Sequence, residues 1–169
     1  SRNLIQGLSE KFPENKYMLY TTSMNFDLFE PTAGSVQIKS PENLIHRIFR
    51  SYWRTVALSG QLLKDGIEIF HGLTHEIPYH FPKKQIRSVV TIHDLIFLRL
   101  PHMYRLSDRY IYEKRYRYSC ETADRIVAVS RQTADDIVEF FHISPDKIDV
   151  VYQGCNPMFN TEVPLIEKE

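Results

Sequence analysis

At 169 residues, with 43% hydrophobic and 25% charged residues, the chain is sized and composed for one compact soluble domain, which excludes a disordered tail, a fibre and a membrane span. Lys plus Arg and Asp plus Glu both number 21, so no net field draws nucleic acid, and a charge-driven partner must use a local patch. Cys120 and Cys155 stand far apart without zinc or redox spacing, no apolar run approaches the roughly 18 residues of a bilayer crossing, and no signal-peptide pattern opens the chain, which together suit a reducing cytoplasm.

Leu4, Ile5, Leu8 and Phe12 recur at helical spacing from the first residues, so a helix is already running and whatever precedes it is expected upstream of Ser1. Residues 16–21 and 36–38 are short β-prone runs, separated by a polar stretch holding Pro31 and Gly34. Ser40, Pro41 and Glu42 then supply a hydroxyl cap, a first-turn proline and a carboxylate at the positive end of the dipole, predicting a helix to about residue 64. Its apolar residues Ile45, Phe49, Trp53 and Val56 recur three or four apart, with Arg47, Arg50 and Arg54 at matching spacing. That amphipathic basic helix is either a solvated face on a core helix or a patch for anionic lipid headgroups or a lipid-diphosphate acceptor.

Residues 67–70, 89–92, 126–129 and 148–151 are nearly continuous apolar runs, as expected of parallel strands covered on both faces. Helical stretches at 106–123 and 132–141 lie between the last three, the alternation that produces right-handed βαβ crossovers and a doubly wound α/β domain. In such a sheet ligands bind outside the carboxyl ends of the strands, so the loops after Phe70, Ile92 and Val129 should surround one crevice. There the sequence places His71-Gly72, His93-Asp94 and Ser130. A neutral imidazole at 93 can donate to or accept from a sugar hydroxyl, and Asp94 can cap the next turn or fix the histidine's tautomer. Ser130 caps the helix after it and turns its first amides toward the crevice.

Five histidines between positions 71 and 102 invite a metal site, but His71 and His75 straddle Gly72 in a loop rather than sharing a helix face, and no metal is expected. Residues 109–118 interleave basic and aromatic side chains as single-strand nucleic-acid platforms do. Helical spacing instead sets Arg109, Glu113, Arg117 and Glu121 four apart with alternating sign, beside a stripe of Tyr112, Tyr116 and Cys120 that can pack on the sheet, so no nucleic-acid partner is expected. After Gly154 the prolines at 157 and 164 and the charged end at 167–169 predict a linker.

Residues 123–130, the helix after them and residues 143–154, together with residues 89–95 and 69–72, resemble the N-terminal, acceptor-side domain of retaining GT-B glycosyltransferases of the group 1, family 4 type. That family includes many bacterial mannosyl- and glucosyltransferases for polysaccharides and lipid carriers. The resemblance implies a Rossmann-like lobe over residues 1–154, with the first strand and its Gly-rich turn expected upstream, and a hinge at 155–169 toward a nucleotide-sugar domain without which this piece should be inactive. It also implies that His93 contacts the transferred sugar, with His71, Gly72, Asp94 and Ser130 at the substrate. The implied partners are a GDP- or UDP-hexose, mannose or glucose, and a glycan or lipid-linked acceptor; no other cofactor is implied. A cytoplasmic enzyme, peripheral on the membrane through Arg47, Arg50 and Arg54, completes the expectation. The alternatives are a non-catalytic carbohydrate or lipid-carrier binding module, or a GT-B phosphorylase or epimerase.

Overall fold

The computed structural model describes residues 2–22, 36–41 and 43–154. The predicted hinge at 155–169, and the Pro31 and Gly34 loop, lie outside the described residues. The first helix, α1 (Arg2–Lys11), leads to β1 (Tyr17–Tyr20), which pairs in parallel with β2 (Val36–Lys39). A second sheet carries the rest of the fold, its strands β3 (Ile69–Gly72), β4 (Arg87–Ile92), β5 (Arg125–Ala128) and β6 (Ile148–Val150) lying side by side in chain order, every pairing parallel. The protein is thus α/β with parallel sheets and helical crossovers, the Rossmann-like architecture that the alternation predicts, though its described strands fall into two sheets.

β4 and β5 lie inside the sheet. Val90, Ile92, Ile126 and Ala128 are fully buried, joined by Leu62, Phe97, Cys120 and Ile137 from the flanking helices and Leu95 from the turn after β4. These strands therefore need apolar residues on both faces, which explains the unbroken apolar runs. Asp124 fixes the register where the chain enters β5: its Oδ2 accepts from the Ser88 amide at 2.7 Å and its own amide bonds the Ser88 carbonyl at 2.9 Å. Between β4 and β5 run α5 (Ile96–Arg99), a short 3-10 turn and α6 (Leu106–Thr122); α7 (Arg131–Phe141) and another 3-10 turn join β5 to β6. In α6 the expected ridge is present as the Arg117–Glu113 pair at 3.1 Å, and Tyr116 and Cys120 pack on the sheet.

The segment before β3 departs from the sequence-based expectation. Its helix starts not at Ser40 but three residues after Pro41, where the Asn43 side chain accepts from the Ile45 amide at 2.9 Å and opens α2 (Leu44–Ile48). Both residues are good caps, and Asn43 wins by placing its acceptor over a free first-turn amide. The helix is also broken. Phe49, with φ −95° and ψ 61°, separates α2 from α3 (Arg50–Tyr52), and a π-helical turn (Trp53–Ala57) precedes α4 (Leu58–Lys64). Trp53 is buried, whereas Ile45 and Phe49 of the same predicted stripe are not. α4 ends with Gly66 at φ +67°, its amide bonded to Leu63 O and the Ile67 amide to Leu62 O, the Schellman arrangement that glycine fits best. That cap occupies residues 66–67, so β3 begins at Ile69 and carries His71 and Gly72 inside the strand, opposite Val89 and Val90, rather than in the loop after it.

Truncation at the sheet centre should be costly. Ile126→Ala is expected to lower urea-derived unfolding free energy by about 2–5 kcal/mol and Ile126→Val by about 1 kcal/mol, since the surrounding strands cannot collapse into the gap. A loss below about 1 kcal/mol for the alanine variant would show that this strand is not the packed centre.

Candidate functional site at the carboxyl ends of the strands

Parallel pairing puts the loop after β3, the turn after β4, the start of α7 and the segment after β6 along one edge of the sheet. His93, the first residue past β4, is half-buried at that edge. Its ring is held from two sides. Nε2 lies 3.1 Å from the Leu73 carbonyl oxygen, which can only accept, so the proton of the neutral ring is on Nε2. Nδ1 then accepts from the Gln153 side-chain amide at 3.0 Å. The loop after β3 thus selects the tautomer, and the lone pair on Nδ1 faces the exposed segment after β6.

The backbone of His93 is equally committed. Its carbonyl accepts from the Thr133 hydroxyl at 3.0 Å, and its amide donates to Nδ1 of His75 at 3.3 Å. Thr133 belongs to the first turn of α7, whose cap is Ser130: the Ser130 Oγ accepts from the Thr133 amide and lies 2.9 Å from the Thr133 hydroxyl. Ser130 therefore caps the helix as expected, and through Thr133 the cap reaches the histidine's peptide.

His75 sits at φ +63°, an uncommon backbone for a non-glycine residue, with its ring stacked on Tyr116 at 4.5 Å and edge-on to His93 at 5.0 Å. Tyr116 is in turn edge-on to Phe97 at 5.2 Å. Burial and the neighbouring His93 push the His75 pKa down to about 4, with Asp94 opposing. A neutral ring is also what the acceptor role of its Nδ1 requires. The Tyr116 hydroxyl is pushed up, first by burial and then by Asp94 and Glu76.

The other expected residues occupy supporting positions. Asp94 does not touch the histidine ring; its Oδ1 accepts from the Ile96 amide at 3.2 Å and starts α5, so tautomer selection falls to Leu73 instead. His71 turns its Nε2 to the Thr91 hydroxyl at 2.8 Å, and burial lowers its pKa. Gly72 is demanded by close packing: a Cβ there would lie 2.2 Å from the Glu76 carbonyl oxygen. Arg54, exposed, pairs with Glu76, 3.0 Å from its Nε, and Glu76 also holds Arg115 at 3.1 Å. Arg47 and Arg50 are exposed on the broken helix and are not part of this edge. Among the described residues no group of three His, Cys, Asp or Glu side chains could hold a metal ion; the imidazoles of 71, 75 and 93 face Thr91, a peptide amide and Gln153 respectively.

Sequence reasoning missed Thr133, Gln153, Tyr116 and the Leu73 carbonyl. Thr133 had a local signal, being the third residue after a capping serine, where a side chain returns toward the cap. Gln153 and Leu73 had none, since their roles exist only once loops distant in sequence meet.

The family model described as Glycosyltransferase Family 4 matches residues 3–159, nearly the whole chain. No curated protein matches it.

The lowered His75 pKa has a stability consequence of definite sign. The unfolded chain takes up a proton near pH 6.5 that the folded ring resists until about pH 4, so the contribution of the neutral ring is complete above pH 6.5 and is lost as pH falls toward 4. The stability advantage of the wild type over His75→Gln in urea titrations should shrink by of order 1 kcal/mol between pH 7 and pH 5, allowing for partial solvent screening. An advantage that is constant or grows on acidification would contradict this.

Proposed function

The chain belongs to glycosyltransferase family 4, and on that premise we propose that it is the acceptor-side lobe of an enzyme that moves a hexose, mannose or glucose, from a GDP- or UDP-hexose to a polysaccharide or lipid-linked acceptor with retained configuration. Donor, acceptor and stereochemistry rest on the resemblance of residues 89–95 and 123–154 to the retaining GT-B enzymes. In this proposal protein groups, not a metal, neutralise the departing diphosphate, and the lobe supplies positioning and electrostatic stabilisation of an oxocarbenium-like state.

The observation that supports a role for His93 is the state of its ring. With the proton committed to Leu73 O, Nδ1 is an acceptor whose present partner is an exposed glutamine amide. A hydroxyl of the transferred sugar can take the place of that amide, donating to Nδ1 without any change of tautomer or backbone. The Thr133 and His75 bonds hold the His93 peptide while this exchange occurs. In the same proposal Asp94 and Ser130 complete the substrate-facing rim, and His71 and Gly72 build the wall behind it.

Steady-state kinetics of His93→Ala in the full-length enzyme test the assignment. Loss of a bond that strengthens in the transition state should lower kcat about a hundredfold. A change below about threefold, with the circular dichroism spectrum and unfolding midpoint unaltered, would remove His93 from the mechanism.

A further inference from the structure

The first part of the broken helix, α2 and α3 with Phe49 between them, buries none of its apolar residues. Leu44, Ile45, Ile48, Phe49 and Tyr52 are between 53% and 68% exposed, five large apolar residues within nine positions. A cluster of that size on a soluble domain marks an interaction surface, because scattered exposed side chains are ordinary but contiguous ones are not. The sequence around them is one-sided in charge. From Asn43 to Lys64 there are three arginines and a lysine and no carboxylate, while the whole chain has net charge zero, so the remainder is net acidic. Arg54 is neutralised by Glu76, but no carboxylate of a described residue pairs with Arg47 or Arg50.

We propose that this face docks on an anionic lipid bilayer, with the five apolar side chains entering the headgroup boundary and Arg47 and Arg50 meeting lipid phosphates. Among the described residues no helix is long and apolar enough to cross a membrane, and α2 with α3 is far shorter than a span, so the segment lies in the interface plane. Charge selects the occupant. A second copy in a two-fold contact would bring Arg47 and Arg50 against their own equivalents with no acid between, whereas a bilayer carrying anionic lipid offers apolar depth and negative charge together. The net acidic remainder of the chain is repelled by the same surface, which orients the protein with this end down.

Sedimentation of the full chain with lipid vesicles tests the proposal independently of any transferase activity. Binding to phosphatidylcholine vesicles containing about one third phosphatidylglycerol should exceed binding to pure phosphatidylcholine at least about tenfold and weaken with salt. Ile48→Glu with Phe49→Glu should abolish it. Arg47→Gln with Arg50→Gln should reduce it about 25-fold, roughly fivefold for each charge, which serves as an independent variant if the glutamates perturb folding. Equal binding to both vesicles, binding to neither, or undiminished binding by either double variant would overturn the proposal. So would a wild-type dimer in analytical ultracentrifugation that the glutamate variant converts to monomer, which would assign the face to a second copy.

Discussion

Parallel pairing of β4 with β3 on one side and β5 on the other is the constraint on which the candidate site depends. It aligns Gly72 with Val90 and Ile92 with Ala128, so that a loop from each strand leaves the sheet in the same direction. Asp124 anchors this register at the opposite end, accepting from the Ser88 amide with the one carboxylate that enters β5. With the strand ends aligned, a single residue can be gripped from several elements: His93 receives or gives hydrogen bonds to the loop after β3, the first turn of α7 and the segment after β6. No one of these contacts is strong alone, each being worth about 1 kcal/mol net. Together they leave the imidazole one orientation and one tautomer.

The histidines illustrate how context separates identical side chains. Ring 75 is sandwiched against Tyr116 and pushed toward the neutral form, so its lone pair can serve a backbone amide. Ring 71 is a brace between adjacent strands through Thr91. Ring 93 alone directs a lone pair toward an exposed, exchangeable partner. Histidines 71, 75 and 93 look like ligands for one ion; in the fold their nitrogens address three different groups.

Much of this is legible because it depends on local pattern. Buried parallel strands must be apolar on both faces, and β4 and β5 announce themselves accordingly, whereas β6, at the edge, is apolar only at Ile148 and Val150 around an exposed Asp149; Ser130 announces a helix start, and α6 and α7 end within a residue of their predicted limits. The apolar run before His71 begins at Ile67, ahead of the strand itself, because the Schellman cap of α4 consumes its first residue. Ser40 and Asn43 are comparable caps in sequence, and it is Asn43 whose side chain meets a first-turn amide in the fold. Periodicity groups Ile45 and Phe49 with Trp53, but a periodic pattern assumes one continuous helix, and the turn at Phe49 breaks it. Gln153 and the Leu73 carbonyl carry no pattern of their own, since a glutamine and a peptide oxygen acquire a task only through the groups that folding brings beside them.

The π-helical turn at Trp53–Ala57 adds one residue to the helical count, a rotation of about 100° between the helical residues upstream of it and those downstream. Stripes on its two sides therefore cannot face the same neighbour, whatever their spacing in the sequence. A turn of this kind is one codon away from an ordinary α-helix, so loss of a single residue within it would swing the preceding side chains into a new azimuth. Relatives that differ by one residue at this point would share the sheet and its edge while presenting a different exterior to their surroundings.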